Sequence, residues 1–297
     1  MTFPACSNQT PYICTLNKNS MSKAVRQLEP KALWGHFADL NAVPRPSKKE
    51  ERVIAFAKNF GESLGFETRI DEVGNVIIKK PATAGMEDRP IVALQSHLDM
   101  VHQKNNDTQF DFSTQGIEMF IEEDWVKANG TTLGADNGIG LASALAVLAS
   151  DDIAHGPLEV LVTIDEEAGM TGAFGLKADW LQGEILINTD SEQEGEVYMG
   201  CAGGIDGTAT FNVEYEDVPA DYQSFNLSIS GLKGGHSGVD IHTGRANACK
   251  LLIRFLLNAS ETFDIQLTEL NGGSLRNAIP READASFVIP SNQVADL

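Results

Sequence analysis

Three short apolar runs constrain the fold most, because each is followed within two residues by a histidine or an acid. The runs are residues 90–96, 158–164 and 184–188. Continuous apolar runs of this length are typical of strands buried on both faces of a sheet. Open α/β sheets place their functional sites at the carboxyl ends of such strands. The pattern therefore predicts a sheet with polar site residues gathered along one edge.

Helical patterns surround these runs. Residues 31–40 and 47–64 carry helical periodicity, and Ser47 with Glu50 three residues later predicts a capping box at the start of the second helix. An Ala-rich segment, residues 141–149, predicts a further helix between the first two strands. The alternation indicates an α/β fold in which helices flank a mostly parallel central sheet.

Two strands near the start of the chain predict a hairpin, residues 66–70 and 76–79, because Gly74 and Asn75 between them favour a turn. The pattern changes after Cys201. There, residues 208–215 and 223–230 predict alternating strands. Residues 245–258 predict an amphipathic helix, and residues 286–290 predict another strand.

These changes predict three segments. Residues 1–21 contain no apolar run that could act as a signal-peptide core, and we expect a disordered leader there. Residues 22–202 are the first domain and residues 203–297 a second α/β domain. Residues 291–297 read as the start of a helix, so we expect the second domain to be incomplete.

The formal net charge of −20 argues against a nucleic-acid partner, because phosphate would be repelled and no basic stripe compensates. The longest apolar stretch, residues 138–149, is too short to span a bilayer, so we expect no membrane segment. The four cysteines form no CxxC pair, which indicates a reducing compartment without structural disulfides. We therefore expect a cytoplasmic protein.

His97 and Asp99 follow the first run. Alternation along a strand points both side chains to the same side, where an aspartate can fix the tautomer of a metal-binding histidine. A His-x-Asp pair alone is weak evidence, and a purely structural role stays open.

Asp136 lies among Gly134, Gly138 and Gly140, directly before the Ala-rich helix. A helix N-cap would be an ordinary use of this aspartate. The glycines favour a functional role beyond capping, because they let the backbone approach closely around one carboxylate.

Asp165, Glu166 and Glu167 directly follow the second apolar run. Three adjacent acids repel one another unless cations or a proton compensate. Together with Asp190 after the third run, they indicate a hydrolytic centre of two metal ions.

The chain resembles the M20 family of metallopeptidases over most of its length after the leader. The motifs that carry the resemblance are His97-Leu-Asp99, Gly134-Ala-Asp136-Asn-Gly, Glu166-Glu167, Asp190 and Gly231-Leu-Lys-Gly-Gly-His236-Ser-Gly. The resemblance implies a zinc-peptidase-like catalytic domain with an inserted lid domain, residues 203–297, that also forms homodimers.

The resemblance also implies roles. Asp136 would bridge two metal ions, His97 and Asp190 would complete one site and Glu167 the other, while Glu166 would be the general base and Asp99 would orient His97. Zinc suits this donor set, although cobalt or manganese would fit as well. The family's final ligand, a histidine, would lie beyond Leu297.

The lid carries three further candidates. His236, on a glycine loop, is implied to stabilise the oxyanion, and Arg276 with Asn277 to hold the substrate carboxylate. A capped turn is the plain alternative for His236.

The substrate implied is a small peptide. Family members that act at a free amino terminus tend to carry aspartate where Asp190 stands, which favours hydrolysis of dipeptides of the Xaa-His type and broader. A deacylase or carboxypeptidase of the same fold, or a truncated chain that only binds peptides, remains open.

Overall fold

The structure, a computed structural model, describes residues 18–191, 193–200, 203, 205 and 207–297. The chain divides into two units, Met1–Ala202 and Gly203–Leu297. The predicted leader falls largely outside the described residues, whose first element is a helix that begins at Lys18. No helix of the described part is long and apolar enough to cross a membrane.

The first unit alternates helices and strands. In chain order its elements are α1 (Lys18–Val25), α2 (Lys31–Asn41), α3 (Glu51–Ser63), β1 (Glu67–Ile70), β2 (Val76–Lys80), β3 (Val92–His97), β4 (Met119–Glu122), β5 (Trp125–Ala128), α4 (Ala135–Ala149), β6 (Leu158–Thr163), α5 (Thr171–Gly175) and β7 (Ile185–Asn188).

A five-stranded sheet of order β1-β2-β6-β3-β7 forms the centre of this unit. The strands β6, β3 and β7 are parallel, whereas β1 and β2 form the predicted hairpin and β2 pairs with β6 in antiparallel fashion. The α/β class is confirmed, and the described sheet is mixed. Its three parallel strands are the apolar runs that the sequence singled out.

The register of the parallel strands brings their carboxyl ends together. His97 pairs with Thr163 of β6, and Gln95 pairs with Asn188 of β7. The segments after β6 and β7 therefore leave the sheet beside His97.

Helices α2, α3 and α4 supply the core that holds this edge in place. Leu141, Leu145 and Leu148 of α4 are fully or almost fully buried and belong to one cluster with Val160 and Val162 of β6. All six residues of β6 are buried, as expected for a central strand. Burying side chains of this size contributes about 1.5–3 kcal/mol each.

The predicted capping box is wrong. Helix α3 begins at Glu51, and Glu50 at its N-cap makes no side-chain capping hydrogen bond. Ser47 instead donates its hydroxyl to Oδ2 of Asp99 at 2.7 Å, because the segment before α3 runs beside the end of β3. This serine therefore belongs to the site.

The second unit contains β8 (Tyr222–Ile229), a short 3-10 turn, α6 (Ala248–Ser260), β9 (Gln266–Gly272) and β10 (Ala283–Pro290). The strands form an antiparallel sheet of order β8-β10-β9, and α6 packs on it through Leu252 and Leu256. The sequence did not predict β9, because the alternation of apolar and polar residues in Gln266–Gly272 is weak.

Two expectations for this unit are wrong. Residues 208–215 form no strand, since Phe211 and Tyr215 are exposed there and no described strand pairs with the segment. Residues 291–293 form a 3-10 turn rather than the start of an α-helix.

Candidate metal centre

His97 is the fixed point of the site. Its side chain is 1% exposed, and its ring nitrogen Nδ1 lies 3.1 Å from the main-chain oxygen of Asp99 and 3.3 Å from Oδ1 of the same residue. Both atoms of Asp99 accept hydrogen bonds, so Nδ1 carries the proton. The other nitrogen, Nε2, is left to face the remaining site residues.

Carboxylates from three different segments surround Nε2 of His97. Oδ1 of Asp136 lies 3.2 Å away, Oδ1 of Asp190 3.6 Å and Oε2 of Glu166 3.9 Å. The side chains of Asp136 and Glu166 are 46% and 34% exposed, so the group opens to solvent. A buried imidazole with half-exposed carboxylates around it leaves room for a ligand on the solvent side.

The imidazole of His97 belongs to two sets of possible metal ligands. Within each set, the donor atoms all lie within 4.8 Å of one another. One set is His97, Asp136 and Glu167, and the other is His97, Glu166 and Asp190. All five residues that the sequence analysis proposed for the centre are therefore brought together. Imidazole and carboxylate are donors that suit zinc, cobalt or manganese, so the residues present fit a metal ion.

Asp99 holds the turn that carries the two glutamates. Its Oδ1 accepts from the amide of Glu166 at 3.0 Å, and its Oδ2 accepts from the amide of Glu167 at 3.2 Å and from Ser47. Because Asp99 also contacts His97, one buried carboxylate fixes the ends of β3 and β6 relative to each other.

Asp136 does not cap α4. The N-cap of α4 is Gly134, so Asp136 lies inside the first turn of the helix, where its backbone angles are φ −80 and ψ 115. The next residue, Asn137, donates its side-chain amide to the main-chain oxygen of Thr189 at 2.8 Å and to Oδ1 of Asp190 at 2.6 Å. The start of α4 is thereby attached to the segment after β7.

Gly140 allows this close approach. A Cβ at this position would lie 2.4 Å from Oγ1 and 2.7 Å from the main-chain oxygen of Thr189. An alanine there would therefore push α4 away from Asp190.

Asp165 is separate from the metal-facing group, although it is adjacent to Glu166. Its Oδ2 accepts from the ammonium of Lys48 and the hydroxyl of Thr171, and its backbone has φ 55. Together with Glu50 and Asp99 it forms a fully buried acidic group that faces away from solvent. Of the three acids after β6, Asp165 is thus compensated by a lysine, whereas the two glutamates lie at the open centre.

The electrostatics reflect crowded negative charge. Burial opposes protonation of His97, but hydrogen bonds to Asp136, Asp190 and Asp99 outweigh it and raise its pKa to about 12. Burial, followed by repulsion from Asp136, raises the pKa of Glu167 to about 8. Burial likewise raises the pKa of Glu166. Such a group calls for a counter-cation, and a metal ion would supply it.

The three candidates of the second unit lie close together in that unit. Nδ1 of His236 accepts from the amides of Gly238 at 3.0 Å and Val239 at 3.2 Å, so the proton of a neutral ring is on Nε2. The amide of Ser237 donates to the main-chain oxygen of Asn277 at 2.8 Å, and His236 forms a β-bridge with Ala278. Arg276 directly precedes Asn277 in the chain. The capped turn is real, and it leaves Nε2 of His236 as a donor.

Sequence reasoning missed three polar residues of the first unit that support the centre, namely Arg45, Ser47 and Asn137. Asn137 could have been noticed, because it directly follows Asp136. Arg45 lies between Pro44 and Pro46, and Ser47 lies between Pro46 and helix α3. No charge pattern in the sequence marks either residue.

Comparisons with known proteins agree with this fold. Residues 227–297 match the peptidase dimerisation domain of the M20 family. The chain is 57% identical over 268 residues to the cytosol non-specific dipeptidase of Escherichia coli (strain K12), an alignment that covers 90% of this chain and 55% of that protein.

A solved structure gives the same picture. The aminoacylhistidine dipeptidase from Vibrio alginolyticus is 57% identical, with a TM-score of 0.61, over 92% of this chain and 56% of the other. The chain spans about half the length of the relatives it matches. By sequence and by fold, this chain is therefore similar to these two dipeptidases, and its residues 227–297 match a domain of the M20 peptidases.

Proposed function

We propose that this chain is the metal-binding part of a metal-dependent dipeptidase. The observation that carries the proposal is the convergence of Asp136, Glu166 and Asp190 on one imidazole nitrogen of His97, at the edge of the parallel strands. Because the chain spans about half of its relatives, the activity is that of the complete protein.

The residues divide by role. His97, Asp136, Glu167 and Asp190 would hold two ions, with Asp136 shared between them, and zinc is the first choice for this donor set. The chemistry that such a pair supplies when bound is a lowered pKa of the attacking water and a polarised scissile carbonyl.

Glu166 is the proposed general base. It belongs to the same group as Asp190 and His97, yet its side chain is 34% exposed and can reach a substrate from the solvent side. It would take the proton of the attacking water and pass it to the leaving amine. Asp99 keeps its backbone in place through the Glu166 amide.

The second unit would supply substrate contacts and the dimer interface. His236, with its proton on Nε2, is suited to donate to the oxyanion, and the resemblance implies that it does so in the active site of the partner subunit. Arg276 and Asn277 are proposed to hold the substrate carboxylate. The match to a dimerisation domain supports a homodimer.

Dipeptides are the proposed substrate class. Both relatives above are named dipeptidases, one of them for aminoacyl-histidine substrates and the other for the cytosol, so we propose Xaa-His and other dipeptides as substrates and the cytoplasm as the location. Asp190, at 3.6 Å from His97, is the acid that the resemblance associates with action at a free amino terminus.

A substrate panel tests the proposal. The complete protein, loaded with zinc, should hydrolyse free dipeptides, including Ala-His and Ala-Ala, faster than their N-acetylated forms and faster than N-acetyl amino acids. Preference for the acylated compounds would indicate a deacylase or carboxypeptidase. No hydrolysis of any of them, with metal bound, would indicate a chain that only binds peptides.

A further inference from the structure

Arg45 is a buried cation between the segment that follows His97 and the segment that precedes Asp136. The residue is 1% exposed and lies in the connection between α2 and α3. It has no part in the proposed chemistry, yet its guanidinium makes four hydrogen bonds.

These hydrogen bonds go to both segments. Nη1 of Arg45 donates to the main-chain oxygens of Leu98 at 3.1 Å and Asp99 at 3.0 Å, directly after His97. Nη2 donates to the main-chain oxygen of Gly134 at 2.5 Å, two residues before Asp136, and to Oδ1 of Asn41 at 3.0 Å. A planar guanidinium can span two chain segments in this way, whereas an ammonium is a single point.

The backbone around the guanidinium is shaped to admit it. A Cβ on Gly134 would lie 2.5 Å from Nη2 of Arg45, and a Cβ on Gly138 would lie 2.7 Å from the same atom. Two of the glycines around Asp136 are therefore explained by the arginine that packs against them.

The main chain of Arg45 is also attached to the same strand end. The amide of Met100 donates to the main-chain oxygen of Arg45 at 3.1 Å, and Pro46 forms a bridge with Met100. The side chain and the backbone of Arg45 thus both contact the segment after His97. Only the guanidinium reaches the segment before Asp136.

The charge of Arg45 faces the site. Burial lowers its pKa to about 10, while Asp99, Asp136 and Glu167 act in the opposite direction, so the side chain is charged at neutral pH. A cation beneath the carboxylates reduces their mutual repulsion.

We infer that Arg45 is a positioning residue of the metal centre, which holds the segments of His97 and Asp136 at a fixed separation before an ion binds. This inference rests on the proposed function, because it assigns the two segments to one centre. It predicts that the loss of the guanidinium loosens both segments and weakens metal binding, beyond any general loss of stability.

The test compares Arg45→Met and Arg45→Lys with Lys80→Met in the full chain. Lys80 is a matched control, since it is 9% exposed and its Nζ donates to the main-chain oxygens of Val147 and Ser150, at the other end of α4. Cobalt(II) is the probe, because its visible absorption reports the geometry of its ligands. Amide hydrogen exchange of the metal-free protein covers residues 97–101 and 132–138.

Arg45→Met should weaken cobalt binding by about 10- to 100-fold, alter the absorption spectrum and speed exchange in both peptides. Arg45→Lys, which keeps the charge, should fold and show the same changes in weaker form. Lys80→Met should lower Tm and leave the spectrum and the affinity unchanged.

A wild-type spectrum and affinity in both Arg45 variants, or an unchanged exchange rate in either peptide, would overturn the inference. If Arg45→Met does not fold, Arg45→Lys alone decides. A failure of the unsubstituted protein to bind cobalt would instead overturn the proposed function, and the exchange of the metal-free protein would still test Arg45.

Discussion

Oδ1 of Asp99 lies 3.3 Å from Nδ1 of His97 and accepts the amide of Glu166 at 3.0 Å, so one carboxylate orients the imidazole and fixes the turn of the proposed base. Asp99 is fully buried, and its burial opposes ionisation. The hydrogen bonds of His97 and Ser47 outweigh this and lower its pKa. The carboxylate of Asp99 is therefore ionised and tightly held.

Replacement of Asp99 should lower metal affinity, because Asp99 positions residues of the metal centre. Asp99→Ala removes one of the two acceptors beside Nδ1 of His97 and the carboxylate that accepts the amides of Glu166 and Glu167, so we expect metal affinity to fall about 10- to 100-fold. Ser47→Ala removes one of the contacts to Asp99 and should have a smaller effect. Isothermal titration with zinc measures both, and equal losses in the two variants would contradict this account.

Glu166 and Glu167 are neighbours with different predicted roles, which makes them a matched pair. Glu166→Ala should keep the metal content and lower dipeptide hydrolysis by about two to four orders of magnitude, because the base acts on the water. Glu167→Ala should lower the metal content. Metal analysis and turnover of the complete protein check both, and loss of metal in Glu166→Ala would make Glu166 a ligand.

Asp136 should be required for both ions. If its carboxylate bridges them, Asp136→Ala releases both together, whereas a mere N-cap would cost about 1 kcal/mol of stability and no metal. Asp136 lies 3.2 Å from Nε2 of His97, and its position inside the first turn of α4 is not that of the N-cap residue. A measured stoichiometry that falls only from two to one would count against the bridge.

His236 is predicted to act on the transition state. His236→Ala should lower turnover about a hundredfold or more while metal binding and dimerisation persist. His242→Ala is the control, because His242 lies in a short 3-10 turn of the same unit, with no proposed role, and should leave turnover unchanged.

Mixed dimers test whether His236 acts across the subunit interface. When His236→Ala and Glu166→Ala proteins exchange subunits, one active site per heterodimer has both residues intact. Partial recovery of activity supports action in trans. A mixture as inactive as its parents, despite proven exchange, would place His236 in the site of its own subunit or outside catalysis.

The positions of the central strands and of the five metal-centre residues followed from the sequence, because buried parallel strands require unbroken apolar runs and the acids come directly after them. The strand predicted for residues 208–215 is not formed. An alternating segment becomes a strand only where another strand pairs with it, and no described strand pairs with this one. Arg45 was also missed, because its role depends on chain segments 53 and 89 residues away.

We propose that dipeptide hydrolysis requires metal held by this centre. The most direct measurement follows hydrolysis of a free dipeptide by the complete protein before chelation, after exhaustive chelation and after zinc is returned. Activity should disappear on chelation, return with zinc, and not return in Asp136→Ala. Full activity in protein shown to be metal-free would contradict it.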